Sequence, residues 1–248
     1  SHVPEVILRI GAAPASKVLS QWVSRHGTRV VQLSATEMPS DPDHSVEATV
    51  IGDIDLAVKV LASSVRPCAK SWRDAWAFAE AKTQETIDTW VSQNFSEPSV
   101  ARVVTSSMAV GTHLVVSSSM PIRDVEWYGT ATAGVRVYSN RGTNGIDGVV
   151  STAVGIALAT RAPVTLLIGD IACIHDSNGL WALNGRDVDL TIVVTNNDGG
   201  SIFSFLPQAA VVSASTFELL YGTPHGVSFE HLASAHGIAY VSATTTEE

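Results

Sequence analysis

The chain has 248 residues, enough for one large domain or a domain and a half, and its formal net charge of −9 argues against nucleic acid as a partner. Although 45% of the residues are hydrophobic, no apolar run reaches the roughly 18–20 residues of a membrane span, and no signal peptide is visible. Cys68 and Cys173 have neither metal-binding nor disulfide-framework spacing, which predicts a reducing, cytoplasmic location.

The first 66 residues have the pattern of part of an α/β domain. Strand-like runs and helical patterns alternate along this segment: strands at Val6–Ile10, Thr28–Leu33 and Ala48–Gly52, and helices at residues 15–25 and 54–64. A segment of this size is too small for a typical domain. We therefore predict that residues 1–66 belong to a larger domain.

A connecting region, residues 67–97, contains a long predicted helix over residues 70–93. Residues 98–248 then alternate strands with helices, which predicts an α/β fold with a doubly wound parallel sheet. The predicted elements are helices at 98–109 and 147–160 and strands at His113–Ser117, Arg136–Tyr138, Val164–Ile168, Leu190–Val194 and Ile238–Ser242. The final residues, Thr244–Glu248, fit either a frayed polar tail or a helix start cut short, so we expect a truncated C-terminus.

Polar residues follow two of the predicted strands. Gly169-Asp170 ends one, and Asn196-Asn197-Asp198-Gly199-Gly200 follows the next. The number of residues between Asp170 and Asn197 is about that of one strand–helix–strand crossover. Both motifs are therefore expected at the same edge of a parallel sheet, where ligands of such sheets bind. Each motif alone is common turn chemistry. Together, a carboxylate, an amide oxygen and a Gly-lined loop predict a site for Mg²⁺ bridged to a diphosphate.

The same pattern is the signature of thiamine-diphosphate enzymes: Gly-Asp, a stretch of about twenty-five residues, then Asn-Asn. Further motifs narrow the resemblance: Ser119–Asp124, Asn140–Gly142, Gly145–Gly148 and Gly199–Gln208. They resemble the MenD family, the 2-succinyl-5-enolpyruvyl-6-hydroxy-3-cyclohexene-1-carboxylate synthases of menaquinone biosynthesis. The resemblance is strong over about residues 110–236. It is weaker over residues 1–65, which are similar to the second half of the family's middle domain.

The resemblance implies that thiamine diphosphate binds with Mg²⁺ or Mn²⁺, and that Asp170, Asn197 and Gly199 are the metal ligands. It assigns cofactor contacts to residues at the strand ends and in the loops: Ser119, Ile146, Gly169, Asp170, Ile171, Ala172, Asn197, Gly199, Ser201 and Ile202. Ile146 matches the apolar wedge that keeps the cofactor bent. For the apolar positions, core packing is nearly as good an interpretation.

The substrates of the family, 2-oxoglutarate and isochorismate, are carboxylates. The resemblance implies that Arg123 and Arg141 bind them through the bidentate guanidinium fork, and that Phe203 and Lys17 face them. An ordinary helix-surface lysine explains Lys17 equally well. The histidines of the C-terminal region, among them His225, have no metal-binding spacing.

As the resemblance implies, the enzyme decarboxylates 2-oxoglutarate and joins the product to isochorismate. The family's pyrimidine-binding domain, which carries the activating glutamate, has no counterpart in this chain. We therefore expect no catalytic residue of that kind here and no activity from the chain alone. The family places the cofactor between two subunits, so a homodimer or homotetramer is expected.

Three other interpretations stay open. An acetolactate-synthase relative, or another thiamine-diphosphate carboligase or decarboxylase, would share the Gly-Asp and Asn-Asn pattern, but Ser119–Asp124 and the two arginines speak against it. A nicotinamide-dependent enzyme is disfavoured because Gly-x-Gly-x-x-Gly is missing. The non-enzymatic alternative is a fragment that binds Mg²⁺-diphosphate or oligomerises without performing chemistry.

Overall fold

The structure is a computed structural model, and it describes residues 3–14, 16–26, 29–37, 41 and 44–245. It divides into two units, Ser1–Asp88 and Thr89–Glu248. The division falls inside the predicted connecting region 67–97. Some positions of the predicted elements lie outside the described residues: Ala15, Thr28 and residues 246–248.

The first unit contains a parallel sheet with the strand order β1-β2-β3. Its elements are β1 (Val6–Ile10), α1 (Lys17–Arg25), β2 (Arg29–Ser34), β3 (Val46–Ile51) and α2 (Ile54–Ser64). The central strand is the buried one, with Val30 and Leu33 nearly inaccessible. Asp53 begins α2 by accepting a hydrogen bond from the Leu56 N–H at 2.9 Å. These elements confirm the predicted β-α-β-β-α order.

Two helices lead into the second sheet. The long helix α3 (Lys70–Gln93) has the predicted bounds. Helix α4 (Glu97–Ser106) begins with a capping box, in which the Ser96 and Ser99 side chains each accept from the other's backbone N–H. It ends three residues before the predicted end at 109, and the chain then turns at Gly111, where φ is +85°.

The second unit contains a parallel sheet with the strand order β5-β4-β6-β7. Its strands and helices are β4 (His113–Val116), α5 (Met120–Tyr128), β5 (Arg136–Tyr138), α6 (Val149–Thr160), β6 (Val164–Gly169), α7 (Asp170–His175), β7 (Leu190–Thr195), α8 (Ala214–Phe217) and α9 (Phe229–Ala235). Short 3₁₀ segments lie at Ser177–Leu183, Ser201–Phe205 and Pro207–Ala210, and a π-helical turn lies at Glu218–Gly222. None of the helices in the described ranges is long and apolar enough to cross a membrane.

Both faces of the second sheet are buried. Val115 and Leu166 belong to a core cluster that includes residues of α6, whereas Leu114 and Leu167 belong to a second cluster with Ala101 of α4. Successive residues of a strand point to opposite faces, so each strand contributes to both clusters. Helices on both faces of a parallel sheet confirm the predicted doubly wound α/β fold.

The predicted last strand, Ile238–Ser242, is wrong. This segment has no ladder with β7 or with any other strand of the described residues. Ile238 packs against the core cluster, but Val241 is 90% exposed. Its apolar residues suited a strand, yet a strand also needs a hydrogen-bonded neighbour, and that neighbour is not visible in the sequence pattern.

Candidate functional site

The carboxyl ends of the four parallel strands in the second unit form one edge of the sheet. Each strand is followed there by predicted site residues: Arg141 after β5, Ser119 and Arg123 after β4, Asp170 after β6, and Asn197 after β7. Gly169 pairs with Thr195 in the β6–β7 ladder. Because paired strands lie about 4.8 Å apart, the two loops that follow emerge side by side.

The carboxylate of Asp170 is the centre of this edge. The residue is 3% exposed. Its Oδ2 accepts hydrogen bonds from the backbone N–H groups of Asn197 at 3.1 Å and Gly199 at 3.0 Å, and its Oδ1 accepts from the Ile171 N–H at 2.7 Å. These charge-assisted bonds wrap the 197–199 loop around the carboxylate, which fixes the position of its negative charge.

A histidine that the sequence patterns did not connect to this site also contacts Asp170. The Nε2 atom of His225 lies 3.2 Å from Asp170 Oδ2, although 55 positions separate the two residues. Asp198 accepts hydrogen bonds from the N–H groups of His225 at 3.1 Å and Gly226 at 2.7 Å. The N–H of Gly226 above all, then that of His225, lowers the pKa of the Asp198 carboxyl.

The two glycines that follow Asp198 allow a close backbone approach. The Gly200 N–H donates to the Gly222 carbonyl at 2.7 Å. A Cβ at Gly199 would overlap that same carbonyl oxygen, and a Cβ at Gly200 would overlap the Tyr221 carbonyl oxygen. The Gly-Gly pair is therefore required for packing against the segment around Tyr221 and Gly222, in addition to any role at a ligand.

The side chain of Asn197 is held at its nitrogen end. Its Nδ2 donates to Ser201 Oγ at 2.8 Å and to a carboxylate oxygen of Glu97, the first residue of α4. The hydrogen-bond network thus assigns the orientation of the amide. Its Oδ1 accepts no hydrogen bond from the described residues, so this oxygen is available to a ligand.

These residues fit a metal ion bound together with a diphosphate. Asp170, Asn197 and Gly199 provide one carboxylate and two neutral oxygens, and Mg²⁺ takes phosphate oxygens and water for its remaining positions. Within the described ranges, no group of three His, Cys, Asp or Glu side chains could hold a metal by itself. A Cβ at Gly169 would meet no atom within 4 Å, which leaves space beside the carboxylate.

The remaining predicted cofactor residues line the same edge or its core. Ile171 and Ala172 belong to the six-residue helix α7, and Ser201 and Ile202 begin the 3₁₀ segment that follows the glycines. Ile146 is half-buried and packs against the core cluster next to α6. Core packing and a cofactor contact both remain compatible with that position.

Ser119 has an unusual backbone conformation. Its φ of 76° and ψ of −132° lie in a region that side chains other than glycine rarely adopt. Such strain costs on the order of 1–3 kcal/mol and occurs preferentially at functional sites. Ser119 lies in the strand-to-helix turn after β4, at the carboxyl edge of the sheet. The Arg123 Nη1 donates a hydrogen bond to the Ser119 carbonyl.

The other predicted substrate residues have different surroundings. Arg141 lies in the turn after β5, and its side chain makes no hydrogen bond or ion pair with the described residues. Phe203 is 39% exposed, with its ring 5.8 Å from that of Tyr221. Lys17 is the exposed first residue of α1 in the first unit.

A buried carboxylate next to Arg123 was not predicted from the sequence. Asp124 is 2% exposed, and its Oδ1 has no hydrogen-bond partner among the described residues. Burial raises the pKa of this carboxyl to about 7; the Glu97 charge raises it further, and Arg123 lowers it. The folded protein therefore favours the protonated acid up to neutral pH.

This shift predicts a pH-dependent stability. The ordinary pKa is 3.8 and the folded value about 7, so stability is lost as pH rises through that window, by at most about 4 kcal/mol. Asp124→Asn should remove this loss, and its melting temperature relative to wild type should increase from pH 4 to pH 7. Melting curves with exposed Asp187→Asn as control test this. A difference that does not change with pH would contradict it.

The first unit contains a separate cavity of about 440 Å³. Its lining is mostly apolar and includes Ile7, Leu19, Trp22 and Trp76 together with Arg9. All of its lining residues come from the first unit, whereas the predicted metal ligands belong to the second. The cavity is therefore not the predicted diphosphate site.

Comparison with known proteins finds a family that matches much of the second unit. Residues 128–248 match the family described as thiamine pyrophosphate enzyme, C-terminal TPP binding domain. This part of the chain is therefore similar to the cofactor-binding domain of thiamine pyrophosphate enzymes. The matched segment includes β6, β7 and all three predicted metal ligands.

The chain is also similar to curated 2-succinyl-5-enolpyruvyl-6-hydroxy-3-cyclohexene-1-carboxylate synthases. It is 39% identical to that of Myxococcus xanthus over 241 residues, covering 96% of this chain and 41% of the relative. It is 40% identical to that of Chloroflexus aurantiacus, covering 98% and 43%, and 37% identical to that of Bacillus velezensis, covering 98% and 43%. The chain thus spans about two fifths of these relatives, which confirms the resemblance to part of the MenD family.

Proposed function

We propose that this chain is part of a synthase that decarboxylates 2-oxoglutarate and joins the product to isochorismate. The product would be 2-succinyl-5-enolpyruvyl-6-hydroxy-3-cyclohexene-1-carboxylate, an intermediate of menaquinone biosynthesis. The names of the relatives support this reaction. The structural observation that carries the proposal is the buried Asp170 carboxylate, bound by the Asn197 and Gly199 amides at the carboxyl edge of the sheet.

The chain's part in the proposed reaction is to hold and orient the cofactor. Asp170, Asn197 and Gly199 would bind Mg²⁺ or Mn²⁺, and Ser201 would keep the Asn197 amide in place through its hydrogen bond. The space beside Gly169 would accommodate the diphosphate. Thiamine diphosphate, when bound, supplies the electron sink for the decarboxylation.

The arginines at the strand ends would bind the substrate carboxylates. Arg141 has no partner among the described residues and is free to form a bidentate pair with a carboxylate. Arg123 is oriented by the Ser119 carbonyl. Phe203 would provide an apolar wall, and Lys17 would contribute a further positive charge.

The complete active site would need more than this chain. The curated relatives are more than twice its length, and the remainder would include the pyrimidine-binding domain and its activating glutamate. A homodimer or homotetramer would bring that domain of one subunit to the diphosphate domain of another. The enzyme would work in the cytoplasm on these small molecules.

The proposal predicts that the full-length protein is active and this chain alone is not. With thiamine diphosphate, Mg²⁺, 2-oxoglutarate and isochorismate, the full-length protein should release carbon dioxide and form the ligated product. The 248-residue chain should release none, because the proposal places the activating carboxylate in the remainder of the full-length protein. Steady carbon dioxide release by the chain alone would contradict the proposal that the remainder of the protein supplies the activating group. Full-length protein that uses pyruvate but not 2-oxoglutarate would favour an acetolactate-synthase-like enzyme.

A further inference from the structure

Within the part of the chain that the structure describes, His225 is the only side chain among the donors to the Asp170 carboxylate. Three backbone N–H groups, from Ile171, Asn197 and Gly199, also donate to it. The described donors are distributed unequally between the two oxygens: His225 and two of the amides contact Oδ2, whereas the Ile171 N–H alone donates to Oδ1. Each carboxylate oxygen has two lone pairs, so Oδ1 keeps one for a ligand.

The hydrogen bonds of the imidazole define its orientation. Nδ1 accepts from the Val227 N–H at 2.9 Å, so in the neutral ring the proton is on Nε2 and points toward Asp170. Nδ1 also lies 3.4 Å from Asp198 Oδ1. We assign the acceptor role from the shorter contact, because the Val227 amide has an N–H to donate and a carboxylate does not.

The backbone of His225 is anchored separately from its ring. Asp198 Oδ1 accepts from the N–H groups of both His225 and Gly226. The ring of Phe229 contacts the imidazole edge-to-face, with the ring centroids 6.1 Å apart. Because Asp198 directly follows Asn197, the loop that carries two predicted metal ligands also carries the carboxylate that holds His225.

We propose that His225 is a positioning residue of the metal site, and that Asp198 holds it in place. This inference rests on the proposed function, because it requires Asp170 to bind the metal. The Nε2–H of His225 holds Oδ2, which turns the other oxygen of the carboxylate toward the ligand. Hydrogen-bond partners of a metal-binding carboxylate commonly change metal affinity by 10–100-fold when they are removed.

The test uses the full-length enzyme with His225→Ala, His225→Gln and His231→Ala. Thiamine diphosphate binding is measured by calorimetry while Mg²⁺ is titrated, and the melting temperature of each metal-free protein is recorded. His225→Ala should raise the Mg²⁺ concentration for half-maximal binding by roughly 10-fold or more. His225→Gln should restore it to within a few-fold, because its amide nitrogen can donate at similar reach. His231 is exposed on α9, so its variant should behave as wild type.

Three results would overturn the inference. The first is wild-type Mg²⁺ dependence in His225→Ala. The second is equal weakening in His225→Gln and His225→Ala, which would mean that ring packing matters and the donor does not. The third applies if His225→Ala does not fold: a wild-type Mg²⁺ dependence in folded His225→Phe, which keeps a ring but has no hydrogen-bond donor, would then overturn the inference. Wild-type enzyme that binds no thiamine diphosphate at any Mg²⁺ concentration would instead refute the proposed function itself.

Discussion

Asp170→Ala in the full-length enzyme is expected to abolish metal-dependent binding of thiamine diphosphate. The substitution removes the only carboxylate among the three predicted ligands, so Mg²⁺ would face the diphosphate without an anionic protein ligand. It also removes the acceptor for the Asn197 and Gly199 N–H groups, which fold the ligand loop around this carboxylate. Calorimetric titration with thiamine diphosphate and Mg²⁺ measures the effect.

Two variants separate the loss of a ligand from a general loss of structure. Asn197→Asp should have a milder effect, because an oxygen ligand remains. Asp187→Ala removes an exposed carboxylate that has no contact among those described, and it should bind as wild type. Thermal melting of each metal-free protein shows whether it is folded. Wild-type binding by Asp170→Ala would show that the Gly-Asp turn has only a structural role, and it would refute the assignment of Asp170 as a metal ligand.

The sequence was sufficient to predict the edge on which the candidate site lies. Strands β6 and β7 are apolar runs with polar residues directly after them, and their separation along the chain matches one crossover. Parallel strands joined by crossovers present the same end to the same edge, so Asp170 and Asn197 had to emerge together. The structure extends each strand by one residue beyond its prediction, to Gly169 and Thr195.

The partners of those residues could not be predicted in the same way. Glu97 contacts the Asn197 amide across 100 positions, and His225 contacts Asp170 across 55. Neither contact belongs to a strand ladder or to one face of a helix, so no periodicity of the sequence predicts it. Both depend on how the loops fold over the sheet edge. The hydrogen bonds from the His225 and Gly226 N–H groups to Asp198 could not be predicted from the sequence either, because an aspartate in a turn usually accepts hydrogen bonds from its own turn.

Arg123→Ala and Arg141→Ala in the full-length enzyme are expected to preserve cofactor binding and impair the use of substrate. A lost charge-assisted contact to a carboxylate costs roughly 1.5–3 kcal/mol, which corresponds to about a ten- to hundred-fold decrease in kcat/KM for the affected substrate. Lysine replacements should recover only part of the loss, because a point charge cannot reproduce the bidentate guanidinium fork. The measurement is kcat/KM for 2-oxoglutarate and for isochorismate separately, at saturating cofactor.

The two alanine substitutions should differ in how much they disturb the structure apart from the loss of substrate binding. Arg123 also donates to the Ser119 carbonyl, so its removal can relax the strained turn after β4, whereas Arg141 has no such contact with the described residues. Arg136 provides a matched control, because it is exposed at the opposite, amino end of the strand that precedes Arg141. Arg136→Ala should keep wild-type kinetics. Wild-type kcat/KM for both substrates in Arg123→Ala and Arg141→Ala would show that the strand-end arginines bind no substrate carboxylate. The proposed function would then be reduced to that of a thiamine-diphosphate enzyme of another substrate class.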